Sequence, residues 1–155
     1  ETVYPDVANF KNTEGFRLPT EVEWNWFARG GEKAIEQGTF DYIYSGSINI
    51  NKVAWHFDNL GRGKRSTKEV GLKKSNQLGL YDCSGNVLEC CYDTTEDIEV
   101  GKNYIYKAFD SSNIYRRLKG GSWGDVAEDC AVLSRSFNQA VDAYSDVGLR
   151  IVRTI

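Results

Sequence analysis

Apolar residues along the chain come in short runs, broken by glycine and small polar residues. Leu18-Pro19-Thr20-Glu21-Val22-Glu23 opens a helix: Thr20 is a good N-cap, and Glu23 three residues on completes a capping box. Val22, Trp26 and Phe27 follow at helical spacing with Trp24 and Ala28 beside them, which predicts a core helix, and Gly30-Gly31 ends it. Phe40–Tyr44 alternates as a strand does and is turned by Ser45-Gly46-Ser47; Val53–Phe57 is a second short apolar run. Leu78–Tyr81 and Val87–Tyr92 flank Ser84-Gly85-Asn86, a turn signal, and read as two half-buried strands of a hairpin. Asn103–Phe109 predicts a strand inside an otherwise irregular stretch, and Tyr115–Trp123 enters the sheet, with Gly120-Gly121 allowing close backbone approach. Glu1 to Thr13 is polar and reads as extended surface chain.

The length of 155 residues suits one domain with its own core, and 41% hydrophobic with 13% aromatic residues argues against disorder. A net charge of -3 gives the whole chain no polyanion-binding footprint, which sets nucleic acid aside as a partner. No run is apolar and long enough to span a bilayer, and no signal peptide is visible. The chain starts at Glu1 and contains no Met, which reads as the C-terminal part of a longer precursor.

Candidate chemistry is sparse. Cys83, Cys90, Cys91 and Cys130 match no zinc spacing and read as small hydrophobes in core sites, while a disulfide to Cys130 stays open. His56, the single histidine, has no partner acid or nucleophile in a motif and reads as incidental. Gly61–Lys68 is a basic, glycine-punctuated loop that lacks the ending and helix context of a P-loop; it reads as a solvated tip rather than a phosphate or sulfate site. Asp82 and Glu89 flank the central turn. Two carboxylates beside free carbonyls suit a hard cation such as calcium, or else they bond the turn's own amides.

Three blocks carry a resemblance. Leu78–Glu89, reading Leu-Gly-Leu-Tyr-Asp-Cys-Ser-Gly-Asn-Val-Leu-Glu, resembles the signature of the formylglycine-generating-enzyme-like, or sulfatase-modifying-factor, family. Gly15–Trp24 followed by Ala28-Arg29-Gly30-Gly31 resembles its opening helix, and Lys119–Trp123 with Cys130, Arg135 and Gly148-Leu149-Arg150 resembles its close. The blocks come in family order across nearly the whole chain. The resemblance implies an α+β, C-type-lectin-like fold over residues 1–155, with two helices, a twisted antiparallel sheet and much loop, closed by a strand over Val147–Arg153.

The same resemblance bears on function. Oxidase members bind copper through two cysteines near this point, because thiolates select monovalent copper. Cys130 stands where one is expected, but no second cysteine lies between Trp123 and Ile155, so the chain is expected not to be an enzyme and to carry no catalytic cofactor. A sulfoxide-synthase role would need a histidine-rich iron site from another domain. Residues 123–150 instead resemble the variable region of diversity-generating-retroelement proteins of the treponemal type, in which massive sequence variation is displayed on a lectin scaffold. That implies a surface protein, at the cell surface or extracellular, with ligand contacts at Asp125, Val126, Glu128, Asp129, Leu133, Ser134, Phe137, Asn138, Asp142, Tyr144, Ser145 and Asp146. The acids favour a basic protein or other surface ligand, and any membrane attachment would come through an anchor outside this chain. The family's structural calcium would map to Asp82 and Glu89 by side chain, and Gly85 and Val87 by carbonyl. The alternatives are an oxidase of the sulfatase-modifying type, or an accessory, glycan-binding domain.

Overall fold

A computed structural model describes residues 15–61, 63, 65–95 and 115–154. In chain order its elements are β1 (Gly15–Arg17), α1 (Glu21–Ala28), α2 (Gly31–Glu36), α3 (Ile50–Val53), β2 (Leu88–Cys90), β3 (Tyr115–Lys119), a 3-10 turn (Ala127–Cys130), β4 (Ser136–Gln139), β5 (Val147–Leu149) and β6 (Val152–Thr154). The architecture is α+β with much loop. One sheet has strand order β4-β3-β2-β5, and a two-stranded sheet pairs β1 with β6. The larger sheet is not wholly antiparallel as expected: β2 and β5 run parallel, with Glu89 opposite Gly148, while β3 pairs antiparallel with both β2 and β4. Among the described residues no helix is long and apolar enough to cross a membrane.

Helix α1 begins where the sequence places it. Thr20 Oγ1 accepts from Glu23 N at 3.2 Å and the Glu23 carboxylate accepts from Thr20 N at 2.9 Å. Its buried face differs from the expected one. Val22 and Trp26 are exposed, and Glu21, Trp24 and Ala28 face inward. Electrostatics explains the choice. The Glu21 carboxylate, 1% exposed, accepts from Arg135 Nε at 2.6 Å and lies 3.6 Å from both Arg117 Nε and Lys119 Nζ. A buried carboxylate is tolerable only with such partners.

Several expected strands take other forms. Phe40–Tyr44 is turns, with one isolated bridge between Tyr44 and Ser47; Val53 ends α3; and Leu78–Tyr81 is turn and coil. Asn103–Phe109 and Glu1 to Thr13 lie outside the described residues. Ser84-Gly85-Asn86 is not a hairpin tip but an interior crossing point. Gly85 N donates to Gly120 O at 2.8 Å, Asn86 N to Trp55 O at 2.8 Å, and Trp123 N to Asn86 O at 2.9 Å. Gly85 has φ 73°, and a Cβ there would collide with the Trp55 carbonyl oxygen, so only glycine fits.

Two small apolar clusters flank this crossing. One holds Trp24, Ala28, Cys83, Cys91 and Val132; the other Ile50, Val53, Ala54 and Cys130. The four cysteines are free thiols, and three are fully buried, as small hydrophobes would be.

Candidate recognition surface

The segment after the crossing point is tied down at intervals. Asp125 Oδ2 accepts from Ser122 N and from Ser122 Oγ, each at 2.8 Å, closing a tight turn, and Asp125 O accepts from Phe57 N at 2.9 Å. The 3-10 turn follows, and its Cys130 is buried against Gly121, where a Cβ would lie 2.7 Å from Cys130 Sγ. Ser134 O receives Lys119 Nζ at 2.6 Å. Strand β4 is held by β3. Beyond it, Leu88 N donates to Asp146 O at 2.8 Å, and Trp123 Nε1 to Ser145 O at 3.4 Å.

Between these ties the side chains turn outward. Val126 and Leu133 are exposed, Phe137 is 59% exposed and Tyr144 52%. The Phe137 ring meets Tyr115 edge-on at 5.7 Å between centroids. Tyr144 Oη donates to Asp142 Oδ2 at 3.2 Å. Glu128, Asp129, Asp142 and Ser145 are exposed as well. Several of the expected contact residues also have jobs in the frame, Ser145 through its carbonyl among them. Asp125 holds the Ser122 turn, Ser134 and Asp146 give backbone carbonyls to the scaffold, and Asn138 Oδ1 accepts from Gln139 N at 2.8 Å. A cleft of about 170 Å³ brings Asp125, Asp129 and Ser134 together with Arg135, Ser136 and Gly121. Tyr115 lies outside the segment expected to form this surface, while Arg135, one of its expected anchors, is tied to Glu21. Tyr115 joins it because β3 and β4 are paired, and a four-residue strand with no clean alternation gives no sequence signal for that.

The chemistry within reach is limited. Burial, with Asp125 and Asp129 nearby, pushes the Cys130 thiol up to about 12, so it is a thiol at neutral pH. His56 is buried, its Nε2 lies 3.1 Å from Asn51 Oδ1, and burial lowers its pKa.

The residues that the family's calcium would use do not fit an oxygen cage. Glu89 Oε1 accepts from Arg150 Nη2 at 2.6 Å, and Oε2 accepts from Arg150 Nε at 3.0 Å and from Trp24 Nε1 at 2.8 Å. A guanidinium therefore stands where the cation would. Asp82 Oδ2 accepts from Gly71 N at 2.7 Å, and Asp82 points to a different loop. Gly85 uses its N–H on Gly120 O and Val87 its side chain against Gly148, which leaves Asp82 and Glu89 as the side chains that decide the fit. Among the described residues no three His, Cys, Asp or Glu side chains converge as metal ligands.

Comparison with known proteins supplies the frame. The model of the sulfatase-modifying factor enzyme 1-like domain matches residues 2–155. The solved structure of Treponema denticola variable protein 1 superposes with a TM-score of 0.74 at 39% identity, covering 90% of this chain and 48% of that one. A chaperone protein LppX of Paenibacillus barcinonensis is 32% identical over 93% of this chain and 51% of its own length. A formylglycine-generating enzyme of Streptomyces coelicolor is 34% identical over 94% of this chain and 49% of its own. The chain thus spans about half the length of these relatives. Fold and motifs agree with the match: the chain belongs to the sulfatase-modifying factor enzyme 1-like domain family, with the C-type-lectin-like fold that it shares with the treponemal variable protein.

Proposed function

We propose that this domain is a non-enzymatic, ligand-binding variable protein that displays its recognition residues at the cell surface. One observation carries the reading. Val126, Leu133, Phe137 and Tyr144 stand in solvent, while the backbone around them is anchored to the sheet and to the crossing point. A lone exposed apolar residue is ordinary; four on one anchored segment resemble the rigid apolar anchors of a paratope. The exposed carboxylates of Glu128, Asp129 and Asp142 around them favour a basic partner. Likeness to the treponemal variable protein supports the reading. So does the thiol inventory: one cysteine after Trp123, buried and protonated, where copper chemistry takes two thiolates.

The test has two arms. Selection of this chain against a display library of lysine- and arginine-rich peptides is expected to yield binders. The double variant Phe137→Ala, Tyr144→Ala should lose them at least about tenfold, as anchor residues do, with an unchanged thermal midpoint. The triple variant Glu128→Gln, Asp129→Asn, Asp142→Asn should weaken them and flatten their salt dependence. In the second arm, purified chain with copper is offered a cysteine-containing peptide. Conversion of the cysteine to an aldehyde with uptake of oxygen would replace this reading with the oxidase one.

A further inference from the structure

Among the described residues, two that are not glycine have a left-handed backbone: Asp82 at φ 57° and Asn86 at φ 66°. Such backbone is unfavourable for a residue with a side chain, and it persists only where the surroundings enforce it. Both side chains reach the same loop. Asn86 Oδ1 accepts from Lys68 N at 2.9 Å and Asn86 Nδ2 donates to Lys68 O at 3.3 Å, while Asp82 Oδ2 accepts from Gly71 N at 2.7 Å. Farther along, Lys73 Nζ donates to Asn51 O at 2.8 Å and Lys74 N to Lys52 O at 2.9 Å. The loop Lys68–Lys74 is therefore fixed at four of its residues.

What it holds outward is unusual for a solvated tip. Val70 is 74% exposed and Leu72 is 60% exposed. Lys68 and Lys74 bracket them, Lys52 adjoins through the Lys74 bond, and Lys73 Nζ is held inward on Asn51 O and over the Trp55 ring at 3.9 Å. The Arg65 guanidinium stacks 3.7 Å from the Phe57 ring centroid. Across a cleft of about 410 Å³, Tyr81 and Leu149 extend the apolar rim beside Val70. Charge is divided unevenly along the chain. Residues 52–74 hold seven of the 19 lysines and arginines (Lys52, Arg62, Lys64, Arg65, Lys68, Lys73, Lys74) but two of the 22 acids (Asp58, Glu69). The rest of the chain is correspondingly acidic.

Cations that surround protruding aliphatic side chains match the boundary of a bilayer, where anionic headgroups meet the cations and aliphatic tips reach the acyl region. A sulfated or phosphorylated polymer would engage the cations alone and leave Val70 and Leu72 in water. We propose that the Lys68–Lys74 loop docks this domain onto an anionic phospholipid surface.

Cosedimentation of the 155-residue chain with vesicles tests this. The chain should pellet with vesicles of phosphatidylcholine plus phosphatidylglycerol, not with phosphatidylcholine alone, and added salt should release it. Lys68→Gln and Lys74→Gln should each lower the partition about fivefold, the ratio that one cation near an anionic surface carries. Val70→Ser with Leu72→Ser should lower it further and leave retention on heparin, a soluble sulfated polymer, unchanged. Thermal midpoints report that each variant is folded. Two results would overturn the proposal: no partition into anionic vesicles, or partition that ignores Val70→Ser and Leu72→Ser while heparin binds equally well.

Discussion

Asp93 shows how one side chain sets a pH dependence. Its Oδ2 accepts from Glu21 N at 2.6 Å, yet burial, with the Glu21 charge added, raises its pKa from the ordinary 3.8 to about 6. Between those values the folded chain binds more protons than the unfolded one, so stability falls as pH rises through that window. Lys119 works from the other side. Burial lowers it from 10.5 to about 8 despite Glu21, so the unfolded chain binds more protons between those values and stability climbs with pH. Together these groups leave their weakest contribution near pH 6 to 8. Asp93→Asn keeps an acceptor for Glu21 N and removes the acid-side slope. Urea unfolding across pH 4 to 7 should show a gain for the variant of roughly 2 kcal/mol at neutral pH and almost none at the acid end.

Helix α1 shows what an element's sequence conceals. Its start was legible from Thr20 and Glu23, because capping is local chemistry. Its buried face was not. Val22 and Trp26 look like core residues by hydrophobicity, while Glu21 looks like solvent, and the cations that reverse the outcome come from β3 and from Arg135, far along the chain. Glu21→Ala should therefore cost about 3 kcal/mol, since it removes the buried carboxylate that Lys119 Nζ, itself fully buried, lies beside. Trp26→Ala should cost less, about 1–2 kcal/mol, because its ring is 45% exposed and packs mainly on Phe40. If the two costs are reversed, the helix faces the other way. The central turn follows the same lesson: Gly85 and Asn86 announce positive φ, but nothing local tells a hairpin tip from an interior crossing with Trp55 and Gly120.

At the scale of the molecule, family motifs made the fold class readable, while local alternation alone predicted strands at Phe40–Tyr44 and Leu78–Tyr81, where the chain forms turns and coil. Residues 123–150 were legible as irregular polar sequence interrupted by Cys130, Arg135 and Gly148. Its division into outward side chains and frame residues was not, because Asp125 O meets Phe57 N and Ser134 O meets Lys119 Nζ only in three dimensions. The Glu89–Arg150 pair is the clearest whole-chain device, joining β2 to the residue after β5 and to Trp24 of α1. Arg150 sets a positive charge directly against Glu89 there. Calcium and chelator should leave the thermal midpoint unmoved, whereas Glu89→Gln, which strands a half-buried guanidinium, should lower stability by about 3 kcal/mol in either buffer.

Trp123 N rests on Asn86 O, and Asp146 O receives Leu88 N, so the entry and the exit of the outward-facing segment land two residues apart on one rigid stretch. A stretch gripped at both feet behaves as an exchangeable cartridge. Insertions between Gln139 and Tyr144 should be absorbed as longer overhangs without disturbing the rest, read as an unchanged thermal midpoint.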